Sequence, residues 1–386
     1  MVVSWALAAA ATALMVAEAL TSMHEYRMLH CLLKLVKKHD EEMHTFWTES
    51  NLPDPHADDI LDTIRPGDVL HHYIIERKLG VGSFGHVYQA QDTLRWNRTV
   101  ALKIYKSRKT EALKEFDTLR KLQTLDPSHL HHIVDVSESF DALDDRTCIV
   151  LELLGNDLIR QSTKMPSFWE HGLNYANLRQ LAKAVLDGLR FLHSNHRIHG
   201  DIKPENIILS KNGDFSSATI VDFGSSEDDS ETSELSLHTR VYQAPELLLG
   251  LPHSTPIDVW ALGTILAILR QPQISWFNGE TSRDVFLRIV ETIGLPSRDI
   301  IDPATRRIGI CSSSSGKTFL YKVSHIDFSA LRAHIKTEPL WHKLPCKSGD
   351  VPCLYFRDLI ERMLTFDPAA RITAAEALAH PFLTVH

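Results

Sequence analysis

The sequence predicts an α+β molecule of two lobes, a small strand-rich lobe with one key helix followed by a larger, mainly α-helical lobe. Three observations predict it. Residues 73–149 run as short β-branched segments interrupted by one helical stretch at 111–122. From about residue 157 the period changes. Leu178, Leu181, Val185, Leu189 and Leu192 step by three or four and give one buried helical face. The chain has 386 residues, too many for one small core and enough for two lobes plus an extension.

Taken in order, residues 1–50 form an apolar, helix-prone extension. No charge occurs before Glu18 and no Lys or Arg before Arg27, whereas a secretory signal opens on a basic residue. The run is short and alanine-rich against the ~20 apolar residues that a membrane span needs. A helix packed on the folded domain or an unstructured leader is therefore expected ahead of a membrane contact through residues 1–20. Residues 51–72 form a linker, of which 51–68 is rich in Pro, Asp and His and reads as loop. The compact domain covers 73–383, with the small lobe at 73–153 and the large lobe at 154–383. Ser312–Ser315 reads as a solvated loop.

Hydrophobic residues make up 44% and charged residues 23%, the balance of a soluble globular enzyme. The net charge of −8 argues against direct binding of nucleic acid. The five cysteines, Cys31, Cys148, Cys311, Cys346 and Cys353, are odd in number and contain no C-x-x-C. Neither a disulfide framework nor a structural zinc site is expected. Reduced thiols, as in the cytoplasm or nucleus, are the simpler reading. Cys148 lies in an apolar run and reads as a small core residue.

Residues 79–87 read LGVGSFGHV, so Gly80, Gly82 and Gly85 form G-x-G-x-x-G with Val87 two positions on. Glycine lets a backbone approach phosphates and bend without a side-chain clash. Dinucleotide sites share the pattern, but there it opens a helix. Here an alternating, strand-like run follows, and then a second strand carries Lys103 within V-A-L-K. That order suits a hairpin loop folded over ATP. A buried lysine needs a carboxylate. Glu115 is preferred to Glu111 because Leu119 and Leu122 follow it at core spacing.

Residues 198–209 read IHGDIKPENIIL. Phosphoryl transfer asks a protein for a carboxylate that orients the attacking hydroxyl and accepts its proton. It also asks for cations to neutralise phosphate oxygens, and for ligands to hold the metal. Asp201 suits the first role and Lys203 the second. Asn206 offers an amide oxygen to Mg2+, a hard ion that prefers oxygen donors. Asp222 opens D-F-G, 21 residues after Asp201, and is the natural second metal ligand.

The glycine loop, V-A-L-K, H-x-D-x-K-x-x-N, D-F-G and A-P-E (Ala244 to Glu246) follow one another as in eukaryotic protein kinases, which the chain resembles over most of its length. Lys203 two positions after Asp201 resembles the serine/threonine branch. The resemblance implies a two-lobed protein kinase fold. It implies an ATP site formed by Leu79, Gly80, Gly82, Ser83, Phe84, Gly85, Val87, Ala101, Lys103 and Ile208. It also implies Leu151 gating the back of that pocket, with Glu152 and Leu153 meeting adenine through their backbones. Asp258, in D-V-W, resembles the buried start of the family's central helix, and Arg371 resembles the partner of Glu246.

Stretches such as KSRKTEALKEFDTL, CIVLELLGNDL and IHGDIKPENIIL are similar to the SR-protein kinases of the CMGC group, whose insert would fall at about 295–351. That likeness implies a basic, Arg/Ser-rich protein substrate and a monomeric enzyme of the cytoplasm or nucleus. Position 200 is Gly where most such kinases carry an arginine that grips a phosphate on the activation segment, which implies no such switch. Gln243 stands where Arg is usual. The segment SSEDDSETSE, with Glu227, Asp228, Asp229, Glu231 and Glu234, would attract an Arg-rich peptide, fix the loop in place of a phosphate, or simply be solvated. Small-molecule phosphotransferases share H-G-D but lack A-P-E, D-V-W and Arg371. A pseudokinase would lack part of the set Lys103, Glu115, Asp201, Lys203, Asn206 and Asp222, which is complete here.

Overall fold

In the computed structural model, strand alternation organises the small lobe. The structure describes residues 57–82, 84–96, 98–106, 109–230, 239–279, 281–294, 296 and 339–385. A six-stranded antiparallel sheet has the order β1-β2-β3-β4-β6-β5. Its strands are β1 (Val69–Leu70), β2 (Tyr73–Val81), β3 (Gly85–Asp92), β4 (Arg98–Tyr105), β5 (Val136–Asp141) and β6 (Thr147–Glu152). Successive side chains on a strand point to opposite faces. On one face Val100, Leu102 and Ile104 of β4 join Tyr88, Cys148 and Val150 in a first apolar cluster. On the other, Ala101 and Tyr105 join Ile149 and Leu151 in the cluster that continues into the large lobe. Lys103 lies between Ala101 and Tyr105 and so shares their face. Burial pushes the Cys148 thiol up, which suits an inert core residue.

The first cluster is closed by residues that the sequence reads as linker. Helix α1 (Ala57–Thr63) and the residue after it bury Leu61 and Ile64 against the sheet, beside Leu70 of β1. The Tyr88 hydroxyl donates to the Leu61 carbonyl at 2.5 Å, and Lys78 reaches Asp62 at 2.7 Å. The expected loop is corrected at 57–63, because two apolar side chains three positions apart suffice to dock one helical turn. Helix α2 (Lys109–Leu125) covers the other face with Ala112, Leu119 and Leu122.

The large lobe is built on two helices. Helix α3 (Tyr175–Ser194) is capped by the Asn174 side chain, which accepts from the Asn177 N–H. Leu178, Leu181, Val185, Leu189 and Leu192 are fully buried, as their spacing predicts. Helix α4 (Pro256–Arg270) is apolar on nearly every side and runs through the core. Helices α5 (Ser282–Ile293) and α6 (Val351–Met363) pack around it.

The sulfurs of Cys346 and Cys353 are bonded, with the two Cα atoms 5.6 Å apart. This corrects the expectation of reduced thiols at those positions: a short turn returns the chain to the first turn of α6. Residues 1–50, Ser83, Glu231, Glu234 and most of the expected insert, including Cys311 and Ser312–Ser315, lie outside the described residues. No helix among the described residues is long and apolar enough to cross a membrane.

Candidate active site

The face of β4 that carries Lys103 looks into the space between the lobes, and helix α2 brings Glu115 to it. Lys103 Nζ lies 2.6 Å from Glu115 Oε2 and 2.6 Å from Asp222 Oδ1. Lys103 and Glu115 are 6% and 1% exposed, so neither charge has water to fall back on. Burial alone would lower the lysine's pKa. The carboxylates of Asp222 and Glu115 outweigh it and hold Lys103 well above the usual lysine range. Asp222 is held below the usual carboxylate range, because the Lys103 ammonium overrides the cost of burial. Glu111, the rejected candidate, lies one turn earlier, and the pairing is with Glu115.

Glu115 holds two further donors. The Tyr105 hydroxyl bonds to its Oε2, and the backbone N–H of Phe223 donates to its Oε1 at 3.3 Å. Tyr105 sits two residues after Lys103 on the same strand face. The contact with Phe223 links α2 to the D-F-G turn. There Asp222 adopts φ +65°, and the Phe223 ring packs edge-on against His199, 5.0 Å between centroids.

The loop that carries Asp201, Lys203 and Asn206 is fixed from below. Short strands β7 (Arg197–Ile198), β8 (Ile207–Ile208) and β9 (Thr219–Ile220) frame it; β8 pairs with β9, and the Val221 N–H donates to the Asn206 carbonyl. Asp258, in the first turn of α4, accepts from the backbone N–H groups of His199 and Gly200, each at 2.9 Å, and from His193 at 3.0 Å. Gly200 takes φ +81°, a conformation that costs glycine least. Asp201 then meets three partners. Lys203 Nζ is 2.5 Å from its Oδ2, Asn206 Nδ2 is 3.2 Å from the same oxygen, and the Thr239 hydroxyl donates to its Oδ1 at 2.9 Å. Asn206 Nδ2 also donates to the Asp201 carbonyl at 2.8 Å. The amide nitrogen is thereby used inward, which leaves the amide oxygen as the group offered to a cation.

Above this floor, the Gly82 N–H donates to the Gly85 carbonyl at 2.8 Å and closes the glycine turn. A Cβ on Gly85 would lie 2.1 Å from the Ile104 carbonyl oxygen, so no larger residue fits without moving β4. The Phe84 ring lies against Gly224, within 3.3 Å of where a Cβ would be, and brings the loop tip down to the D-F-G turn. Gly80 pairs with Val87 in the hairpin. Ala101 and Leu151 are buried in the inter-lobe apolar cluster, and Leu79, Phe84, Val87 and Leu153 pack partly buried against it. Ile208 is half-buried on β8. The Glu152 side chain turns away, accepting from the Asp135 N–H at 3.0 Å, and burial raises its pKa.

Sequence reasoning did not find Tyr105, Thr239 or the part that Asp258 plays in holding the loop. Period two along β4 was a usable signal for Tyr105. Thr239 meets Asp201 across 38 residues of chain and leaves no spacing to read. The buried pair Arg371–Glu246 is bidentate, at 2.7 and 2.9 Å.

Comparison with known proteins gives the same reading. The protein kinase domain family matches residues 73–383. Dual specificity tyrosine-phosphorylation-regulated kinase 3 of Rattus norvegicus is 30% identical over 324 residues, covering 81% of this chain and 54% of the relative. Dual specificity protein kinase YAK1 of Saccharomyces cerevisiae is 32% identical over 348 residues, covering 81% and 42%. The DYRK-family kinase pom1 of Schizosaccharomyces pombe is 32% identical over 319 residues, covering 82% and 28%. The chain spans about half the length, or less, of these curated relatives. They do not support the SR-protein kinase branch. One of its three matching stretches, IHGDIKPENIIL, is mostly the loop around Asp201, which shared chemistry imposes on many branches. The chain belongs to the protein kinase family, within its CMGC group.

Proposed function

We propose that this chain is an ATP-dependent protein kinase that transfers the γ-phosphate of Mg-ATP to a serine or threonine hydroxyl of a protein substrate. One observation carries the reading. Lys103, Glu115 and Asp222 meet at 2.6 Å contacts on one side of the inter-lobe space, with Asp201, Lys203 and Asn206 gathered beneath them. In this reading the hairpin of Gly80, Gly82 and Gly85 covers the phosphates, and Lys103, oriented by Glu115, meets them. Asp201 Oδ1 orients the substrate hydroxyl and accepts its proton, while Lys203 balances charge as the phosphate moves. The donor set fits magnesium, since the Asn206 amide and the Asp222 carboxylate supply oxygen ligands. Bound there, magnesium would neutralise the phosphate oxygens.

Of the five acidic side chains that could attract an Arg-rich peptide, three have partners within the chain, and Glu231 and Glu234 lie outside the described residues. Glu227 is buried against His253, Asp228 accepts from Ser230, and Asp229 contacts His196. The substrate class proposed is a protein hydroxyl. The test is transfer of labelled phosphate from Mg-ATP to serine, threonine and tyrosine peptides, with Asp201→Ala as control. Tyrosine belongs in the panel because the relatives are named dual-specificity kinases. Asp201→Ala is expected to lower turnover by about 10²–10⁴-fold while ATP still binds. A near-normal rate in that variant removes the assignment of Asp201 as base.

A further inference from the structure

We infer that Glu227 and His253 form a fixed tie that holds the start of the activation segment, the chain between D-F-G and A-P-E, on the loop that carries Asp201, in the role that a phosphate plays in kinases with an arginine at position 200. The inference rests on the kinase reading and adds the positioning of its activation segment. Position 200 is Gly with φ +81°, so no side chain there can grip a phosphate. Two residues before it, Ile198 of β7 pairs with Glu227 of β10 (Glu227–Asp228). The backbone register therefore places a carboxylate of the activation segment beside the loop that carries Asp201.

That carboxylate is only 9% exposed, and its Oε1 lies 2.7 Å from Nε2 of His253, whose side chain is 5% exposed. A carboxylate can only accept, so His253 Nε2 carries the proton and donates. The bond survives with the ring neutral or charged. His253 follows the short helix Pro245–Leu248 and precedes α4, five residues before Asp258. One stretch of chain thus grips both partners: Asp258 takes the backbone of the catalytic loop, and His253 takes the activation segment. Around the tie, the Ser226 hydroxyl donates to the Ile198 carbonyl at 2.8 Å, and the Asp229 N–H donates to the His196 carbonyl at 3.1 Å. At its far end the same segment returns as Thr239 to Asp201. An anion built into the chain replaces one that would have to be added, so the start of the segment, Ser226–Asp229, is held without modification.

The Glu227–His253 contact is made on the activation-segment side of the loop, through the pairing of Glu227 with Ile198, so both are positioning residues. Their loss should weaken engagement of the peptide and spare nucleotide. The test is steady-state kinetics on the full chain after phosphatase treatment, with ATP affinity measured separately. Treated wild type is expected to keep its kcat/KM for peptide within twofold. His253→Ala is expected to lose about tenfold or more, chiefly in peptide KM, with ATP affinity within twofold. His253→Gln, which keeps an N–H for Glu227, is expected to recover most of the loss. The inference is overturned if His253→Ala stays within twofold of wild type. Loss of ATP binding in both variants, which marks a general folding role, overturns it too. So does loss of wild-type activity on phosphatase treatment. A wild-type chain that transfers no phosphate from the outset fails the kinase reading itself and this inference with it.

Discussion

Lys103, Glu115 and Asp222 bring three charges together, the first two almost shut off from water and the third partly exposed, so the buried ammonium depends on both carboxylates. The raised pKa of Lys103 keeps its ammonium charged at every working pH. Tyr105 adds a neutral donor to the same Glu115 oxygen that Lys103 holds. Tyr105→Phe removes the hydroxyl and keeps the ring. It should cost about 1 kcal/mol of transition-state stabilisation, near a fivefold fall in kcat/KM for ATP. Unchanged kinetics would mean that Lys103 and the Phe223 N–H orient Glu115 without help from Tyr105. Much of this site is legible in the sequence, since each chemical group recurs at a short, fixed spacing within its own motif. Thr239 is not legible, because its contact with Asp201 depends on where a long loop returns.

Elements differ in legibility for a similar reason. Helix α3 announces itself through five apolar positions over fifteen residues, whereas α1 spans only two turns and follows Pro53 and Pro55 in a polar stretch. Leu61 and Ile64 reveal their purpose only against the sheet face that they cover. Leu61 is fully buried, so Leu61→Ala should destabilise the chain by ~2–4 kcal/mol. The fall in denaturant midpoint measures it, and a change below about 0.5 kcal/mol would return 57–63 to the status of a linker. The Cys346–Cys353 bond is illegible for another reason: a C-x-x-x-x-x-x-C spacing carries no motif, and only the turn into α6 brings the sulfurs together. At the large lobe's other anchor, Arg371→Lys keeps the charge but loses the two-pronged grip on Glu246. It should lower stability by about 2–3 kcal/mol in the same measurement, because Glu246 is left buried with a poorer partner.

For the molecule as a whole, Asp258 joins the apolar centre of the large lobe to the catalytic loop. It sits in the first turn of α4, where the helix dipole favours an anion, and it is 1% exposed. Burial by itself would raise its carboxyl. His193, His199 and the backbone N–H groups outweigh that cost and hold it below the usual carboxylate range. A carboxylate whose folded pKa is depressed contributes stability that is present above the unfolded pKa, and the contribution is lost as pH falls through the folded value. Asp258→Asn removes the charge and leaves one N–H group facing an amide that can donate but not accept there. At pH 7 the variant should unfold about 2–4 kcal/mol more easily than wild type. As pH falls below about 4 the wild-type advantage should shrink, because its own carboxyl becomes neutral. Denaturant unfolding of both chains from pH 7 to pH 3 measures the gap. A gap that stays constant or widens on acidification would show that hydrogen-bond geometry alone, and not the charge of Asp258, holds the catalytic loop on the core.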